Sequence, residues 1–218
     1  ACQIAREIAM DDKWKVGRVI ARPYIGTKEG HFTRTSNRHD YALAPFSKTA
    51  LDSLKDAGLD VIGVGKIPDI FVDQGITRKI KTVSNEDGMN KTIELASDNF
   101  NGLAFINLVD FDAVYGHRRN AAGYGKAIEE FDVQLGKLIN ELKNDDLLMV
   151  TADHGNDPTY RGTDHTREQV PLIIYSKQFN EMKVLNDGDS FGIIGSTICD
   201  NFNVKYNGIG SSILELLK

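Results

Sequence analysis

Strand-like and helix-like segments alternate from about residue 43 onward, and this alternation limits the fold more than any other feature of the sequence. The apolar periodicity predicts helices at 47–57, 87–98 and 119–143, and strands at 60–65, 102–109, 147–152 and 171–176. The strand segments are almost continuously apolar, as expected of strands buried on both faces of a parallel sheet. The sequence therefore predicts an α/β fold, a three-layer sandwich with a largely parallel sheet.

The first 42 residues differ from this pattern. Ile4, Ile8 and Ala9 are spaced as on a helix, and residues 15–26 are typical of a strand that ends at a proline and a glycine. A polar stretch without clear periodicity follows. We therefore expect a domain boundary near residue 43. Because the sequence starts without methionine inside a helical pattern, we also expect it to be part of a longer protein.

Composition narrows the class of protein. A chain of 218 residues that is 41% hydrophobic and 26% charged can bury one sizeable core. The net charge of −5 provides no general attraction to nucleic acid or anionic lipid, so neither partner is expected, and the oligomeric state stays open. Two cysteines are too few for a disulfide framework, which makes a reduced, cytoplasmic location the default expectation. No apolar run approaches the ~18 residues of a membrane span.

Carboxylates and imidazoles follow two of the predicted strands. They are Asp110, Asp112, His117, Asp153, His154 and His165. In a parallel sheet the carboxyl ends of neighbouring strands meet at one edge, where ligands bind. A single Asp or His at a strand end more often caps a helix or a turn, but several together indicate a metal site. Mixed carboxylate and imidazole ligands suit Mn²⁺, Zn²⁺ or Fe²⁺, and the lack of thiolates argues against a closed structural zinc site.

Two aspartates in these segments have other interpretations. Asp110 is either a partner of a metal ligand or the cap of a helix. Asp164 either orients His165 or faces solvent.

The combined motifs carry a family resemblance. The segments "TADHGNDPT", "TDHTREQVPLIIYS" and "NLVDFDAVYGHRRNAAGY" resemble the alkaline phosphatase superfamily. The segments "GRVIARPY" and "FTRTSNRHDYAL", with "YGHRRN", point within it to the phosphopentomutase family. The resemblance covers essentially the whole chain and corresponds to the C-terminal half, or slightly more, of such an enzyme. It implies the C-terminal part of an α+β cap domain at 1–42 and half of the metal-binding core at 43–218.

The resemblance also implies a dinuclear site that holds two Mn²⁺ ions in the complete enzyme. Asp112, His117 and His165 match the protein ligands of one metal. Asp153 and His154 match part of the ligand set of the other. The remaining ligands, an aspartate and the nucleophilic threonine, are expected in a segment upstream of this chain.

The implied activity is the interconversion of ribose 1-phosphate and ribose 5-phosphate, and of the 2-deoxyribose analogues, through a phosphothreonine enzyme and a bisphosphate intermediate. Thr151, although close to Asp153, does not match the nucleophile. We therefore expect no catalytic nucleophile in this chain and no activity from it in isolation.

Four residues match substrate-binding positions of the family. Arg18 and Arg34 match contacts to the non-reacting phosphate, Ile20 matches a backbone contact, and Lys66 matches a core position near the substrate. The planar guanidinium of arginine suits phosphate because it binds two oxygens at once. The other arginines and histidines considered are interpreted as surface residues: Arg22, Arg38, Arg118, Arg119, His31 and His39.

Two other classes of function stay open. Another phosphatase of the superfamily, or a cofactor-independent phosphoglycerate mutase, would share the Asp-His pattern, although "FTRTSNRHDYAL" weighs against both. A non-catalytic metal-binding domain is the second alternative, because the chain has no matching nucleophile.

Overall fold

The computed structural model describes residues 2–11, 13–35 and 39–217, and the side chains of Arg34 and His39 lie outside the described part. The N-terminal part holds helix α1 and four short strands: α1 Cys2–Ala9, β1 Arg18–Ala21, β2 Tyr24–Ile25, β3 Thr33–Arg34 and β4 His39–Ala42. Strand β1 pairs antiparallel with β4, and β2 pairs antiparallel with β3. The polar stretch after residue 26 thus contains two short strands, which the sequence did not predict because no apolar pattern marks them.

The centre of the remaining chain is a parallel sheet of three strands in the order β6-β5-β7. These strands are β5 Asp60–Val64, β6 Arg78–Ile80 and β7 Gly102–Ile106. Asp60 lies opposite Gly102 and Val64 lies opposite Ile106, so β5 and β7 are in register over their full length. Strands β8 Leu148–Thr151 and β9 Leu172–Tyr175 form a separate antiparallel pair. The predicted α/β fold is confirmed.

The two faces of β5 bury their side chains against different helices. These are α2 Ala50–Asp56 and α6 Gly192–Asn201 on one face, and α4 Asn85–Ala96 on the other. Val61 packs with Leu54 and Cys199, whereas Ile62 and Val64 pack with Leu95. Successive strand residues point to opposite faces, so this alternation produces the three layers. Full burial of each such side chain contributes about 1.5–3 kcal/mol.

Two further helices complete the core. Helix α3 Ile67–Ile70 follows β5, and helix α5 Ala121–Glu141 packs against α4. The helix predicted at 119–143 is observed as Ala121–Glu141. None of the helices in the described part of the chain is both long enough and apolar enough to cross a bilayer. The boundary near residue 43 between cap and core stays a prediction.

A capping box fixes the start of α2. Thr49 accepts a hydrogen bond from the backbone N–H of Asp52, and Asp52 Oδ2 accepts one from the backbone N–H of Thr49 at 2.7 Å. Gln74 Nε2 donates to the same carboxylate at 2.9 Å. Burial alone would raise the pKa of Asp52, but the bonds from Gln74 and Thr49 together outweigh it, so this pKa lies below its ordinary value. The folded state therefore favours the charged carboxylate.

We predict that Asp52→Ala lowers the free energy of unfolding at pH 7 by about 0.5–2 kcal/mol, the usual cost of a lost cap. A depressed pKa means that the stabilisation is complete above the unfolded value of about 3.9 and is lost as the pH falls through the folded value. Urea unfolding of mutant and wild type at pH 7 and at about pH 3 measures the difference between their free energies of unfolding at each pH. Asp56→Ala removes a charge from the same helix without a cap bond and should have a smaller effect. A difference in free energy of unfolding that is equally large at both pH values would contradict the prediction.

Candidate metal centre

The chain leaves the carboxyl end of β7 and enters a π-helical turn, Phe111–Gly116, which carries Asp112 and leads to His117. Such turns are rare and often lie at functional sites. Asp110 ties the start of this turn to α4, because its Oδ2 accepts from the backbone N–H of Asn85 at 2.7 Å. In return the backbone N–H of Asp110 donates to Asn85 Oδ1 at 2.9 Å. Asp110 thus caps the start of α4, while its side chain makes no capping bond to the π-helical turn that follows it.

The loop that follows β8 returns on itself. The backbone N–H of Thr166 donates to the Gly155 carbonyl at 3.1 Å, and the two residues form an isolated antiparallel bridge. This closure places the rings of His154 and His165 face to face, with centroids 3.7 Å apart and planes inclined by 16°. Two histidines separated by eleven positions therefore occupy one site.

Asp112, His117 and His165 converge on one point. Asp112 Oδ1 lies 3.4 Å from His117 Nε2 and 3.3 Å from His165 Nε2, and one ligand atom from each residue lies within 4.8 Å of the others. Ligand bonds of ~2.1 Å at tetrahedral angles would separate neighbouring ligand atoms by ~3.4 Å. The two separations from Asp112 Oδ1 and the donor types therefore fit a single divalent ion. Their role as ligands stays a prediction.

Asp153 and His154 lie beside this group. His154 Nε2 lies 3.7 Å from Asp153 Oδ2, and the Asp153 side chain is 76% exposed. Within the described ranges, Asp112, His117 and His165 form a cluster of three potential ligands. Asp153 and His154 do not belong to this cluster. A pair of ligands matches the partial second site that the resemblance implies, and this assignment also stays a prediction.

Hydrogen bonds to backbone carbonyls set the tautomer of two rings. His117 Nδ1 lies 2.5 Å from the Thr163 carbonyl oxygen, and His154 Nδ1 lies 3.1 Å from that of Gly155. A carbonyl only accepts, so each Nδ1 carries a proton, and Nε2 is the ring nitrogen left to face a metal. The two imidazoles therefore present Nε2 as the ligand atom.

Asn156 orients the Asp112 carboxylate. The buried Asn156 side chain donates from Nδ2 to Asp112 Oδ1 at 2.6 Å. Gly116 permits this approach, since a Cβ at this position would lie 2.6 Å from Asn156 Nδ2. Sequence reasoning missed Asn156, although its position two residues after His154 in "TADHGN" was a usable signal.

The interpretation of Arg119 as a solvated surface residue is wrong. Its guanidinium makes five hydrogen bonds, to the carbonyls of Gly116, Asp157, Gly162 and Asp164 and to the side chain of Asn156. Its backbone adopts a left-handed φ of 52°, an uncommon conformation for a residue with a Cβ. Most of the acceptors lie far along the chain and are backbone oxygens, so no residue type marks them in the sequence.

Tyr124 lies near enough to Asp112 to be influenced by its charge. Its ring packs against Phe111, with centroids 5.7 Å apart. Burial, and secondarily the negative charge of Asp112, raises the pKa of the Tyr124 phenol above its ordinary value. The phenol is therefore neutral at physiological pH and adds no competing charge beside Asp112.

The predicted substrate-binding residues lie on several elements. Arg18 begins β1 and its half-exposed guanidinium contacts Asp40 Oδ2 at 3.4 Å, while Ile20 pairs with Asp40 across the strands. Lys66 follows the carboxyl end of β5 and is half-buried. The side chain of Arg34 lies outside the described residues. Their roles in substrate binding stay predictions. Arg22, His31 and Arg118 are exposed, as expected of surface residues, whereas Arg38 and the His39 side chain are not described.

The α/β fold and the Asp-His site together define a class of metal-dependent enzymes. A family model described as the metalloenzyme superfamily matches residues 20–206, and the chain belongs to this superfamily. Membership and the three-residue site together indicate the use of a divalent metal.

Curated relatives refine the comparison. The chain is 59% identical to the phosphopentomutase of Clostridium botulinum (strain Alaska E43 / Type E3) over 218 residues, which are 99% of this chain and 55% of that protein. It is 59% identical to the phosphopentomutase of Agathobacter rectalis and 57% identical to that of Clostridium beijerinckii, with the same coverage. The chain thus spans about half the length of the curated relatives it matches. The predicted family resemblance is confirmed.

We predict that His117→Ala in the full-length protein abolishes one tight site for a divalent metal, because it removes one of three converging potential ligand atoms. The loss of affinity should exceed the ~10- to 100-fold that loss of a ligand's hydrogen-bond partner costs. Isothermal titration of metal-free protein with Mn²⁺ measures both affinity and stoichiometry. His31→Ala, at an exposed histidine, is the matched control. Unchanged stoichiometry and affinity in His117→Ala would rule out His117 as a ligand.

Proposed function

We propose that the full-length protein containing this chain is a phosphopentomutase, which interconverts ribose 1-phosphate and ribose 5-phosphate and the 2-deoxyribose analogues. The observation that carries this proposal is the convergence of Asp112, His117 and His165 on one point, within 4.8 Å of one another. The similarity to curated phosphopentomutases over 99% of the chain supports the choice of substrate. A pentose phosphate is the proposed small-molecule partner, and the cytoplasm the proposed location.

The proposed cofactor is a pair of Mn²⁺ ions. Asp112, His117 and His165 would hold one ion, and Asp153 and His154 would contribute to the other. A mixed carboxylate and imidazole set suits Mn²⁺. When bound, such a pair stabilises the negative charge that develops on the transferring phosphoryl oxygens.

The chain's own residues orient the site and bind the substrate. Asn156 holds the Asp112 carboxylate, and the Thr163 carbonyl holds the His117 ring, so both ligands are aligned in advance. Lys66 follows β5 at the same edge of the sheet from which β7 leads to Asp112, so its ammonium is suited to attract the anionic substrate. These groups supply orientation and charge rather than a covalent step.

Arg18 and Arg34 are proposed to bind the non-reacting phosphate, with Ile20 adding a backbone contact. The contact of Arg18 with Asp40 spans 3.4 Å, and the Arg18 side chain is 56% exposed. At 3.4 Å the contact is longer than the ~2.7–2.9 Å of a strong charge-assisted hydrogen bond, and it uses only one Arg18 nitrogen, Nη1. A phosphate would accept two parallel hydrogen bonds from it.

The phosphoryl carrier is proposed to be a threonine of the full-length protein that no motif of these 218 residues matches. Thr151 is a poor candidate, because it is the last residue of β8 and its hydroxyl donates a hydrogen bond to the adjacent Ala152 carbonyl at 3.4 Å. Without a nucleophile the two-step transfer has no phosphoenzyme, so we propose that the 218-residue chain alone is inactive.

We predict that the full-length protein with Mn²⁺ converts ribose 1-phosphate to ribose 5-phosphate, which phosphorus NMR follows directly. Removal of metal with EDTA should abolish the conversion and added Mn²⁺ should restore it, whereas the 218-residue chain should show no turnover. Release of inorganic phosphate without isomer would assign a phosphatase instead. Conversion of phosphoglycerate would assign a phosphoglycerate mutase, and metal binding without any turnover would assign a non-catalytic domain.

We predict that Arg18→Ala lowers kcat/KM at least tenfold, since a hydrogen bond to a charged group contributes about 1.5–3 kcal/mol. The free energy of unfolding should change by no more than about 0.5 kcal/mol, because the side chain is largely exposed. Arg22→Ala, an exposed arginine four positions away, is the control and should leave the kinetics unchanged. Unchanged kinetics together with a large fall in Tm would assign Arg18 to folding instead.

A further inference from the structure

We propose that Arg119 is a positioning residue for the metal centre, whose single guanidinium holds the turn of Asp112 and His117 against the loop that carries His165. This inference rests on the metal site assigned under the proposed function. It concerns how the site is assembled and not which phosphate is transferred.

The hydrogen bonds of Arg119 join two separate segments. Nη1 donates to the Gly116 carbonyl at 3.0 Å within its own turn. The remaining bonds go to the loop after β8. Nη1 donates to Asn156 Oδ1 at 2.6 Å and to the Asp157 carbonyl at 2.8 Å. Nε donates to the Gly162 carbonyl at 2.5 Å, and Nη2 donates to the Asp164 carbonyl at 2.6 Å. Each acceptor in the loop lies 37 to 45 positions from Arg119. One side chain therefore closes the loop onto the turn.

Asn156 relays this contact to Asp112. A guanidinium only donates, so Oδ1 of Asn156 must face Arg119 and the amide NH₂ must face the carboxylate. The observed bonds have this orientation, with Nδ2 donating to Asp112 Oδ1 at 2.6 Å. Asn156 is buried, which leaves the amide little freedom to turn. The position of Arg119 therefore fixes the direction from which Asp112 is held.

The other two ligands depend on the same stretch of loop. Arg119 binds the carbonyls of Gly162 and Asp164, which flank Thr163. The Thr163 carbonyl accepts from His117 Nδ1, and the next residue after Asp164 is His165. Arg119 therefore contacts a neighbour of each potential ligand. Asn156 is hydrogen-bonded to Asp112, Gly116 precedes His117, and Asp164 precedes His165.

Arginine suits this position because its five N–H groups form a rigid planar fork that reaches carbonyls in several directions. A lysine would place three donors on one atom and could not span the same acceptors. The left-handed backbone at Arg119, with φ of 52°, is a further indication. Residues with a Cβ are held in such conformations only when their surroundings demand it, and they cluster at functional sites.

The test separates the side chain from the backbone. Arg119→Gly removes all the bonds while keeping a residue that adopts the left-handed conformation readily. Arg119→Lys keeps the charge but not the fork. Arg161→Ala, an exposed arginine within the same loop, is the matched control. Each variant of the full-length protein is stripped of metal and titrated with Mn²⁺, and its metal-free Tm and circular dichroism spectrum are recorded.

Arg119→Gly and Arg119→Lys should each weaken Mn²⁺ binding about 10- to 100-fold, the usual effect of losing a group that orients ligands. Mutase turnover should recover at saturating Mn²⁺, and the control should bind as the wild type does. A lower Tm with unchanged Mn²⁺ affinity in Arg119→Gly would show a merely structural role and overturn the proposal. Wild-type affinity in Arg119→Lys would also overturn it, because the fork would then be unnecessary.

A second variant covers the case in which Arg119→Gly does not fold. Asn156→Ala cuts only the relay to Asp112, and it too should weaken Mn²⁺ binding. Combined with Arg119→Lys, the loss should be smaller than the product of the two single losses, because both act through one chain of bonds. Losses that multiply independently would contradict the relay. Wild-type protein that binds Mn²⁺ but converts no pentose phosphate would overturn the proposed function and leave this inference standing.

Discussion

The parallel pairing of β5 with β7 is the contact from which the arrangement of the site follows. Val61, Ile62 and Val64 are almost completely buried, so β5 is held between the two helical layers. Because β7 runs in the same direction and in register beside it, both strands release the chain at one edge of the sheet. Lys66 follows one strand end and Asp112 the other. Apolar burial in the sheet thereby determines where the polar chemistry lies.

The candidate metal centre is held by a different kind of force. The side chains of Asp112, His117 and His165 are 36%, 39% and 47% exposed, so apolar packing contributes little to their positions. Hydrogen bonds replace it: Arg119 donates to Asn156, Asn156 donates to Asp112, and the Thr163 carbonyl accepts from His117. A site on loops above a rigid sheet combines an open approach for a ligand with side chains that are aligned in advance. The sheet supplies stability and the loop contacts supply alignment.

Much of the architecture follows from local pattern. The strand predicted at 60–65 is observed as Asp60–Val64, and the helix predicted at 119–143 as Ala121–Glu141. Helix α2 begins at a capping box that Thr49 and Asp52 encode directly. The short strands β3 and β4 were not predicted, because they lie in a polar stretch that has no apolar run to mark them. The antiparallel direction of β9 against β8 was equally hidden, since apolar runs do not encode strand direction.

Arg118 and Arg119 show where local information ends. The two are adjacent and identical in type, yet Arg118 is exposed whereas Arg119 donates hydrogen bonds to a loop up to 45 positions away. By itself the sequence determined the elements and the residue types that bind a metal, because periodicity and side-chain chemistry are properties of short segments. The tertiary structure alone decided which arginine holds the site. Its partners are mostly backbone carbonyls, which every residue carries, so only the closure of the loop selects them.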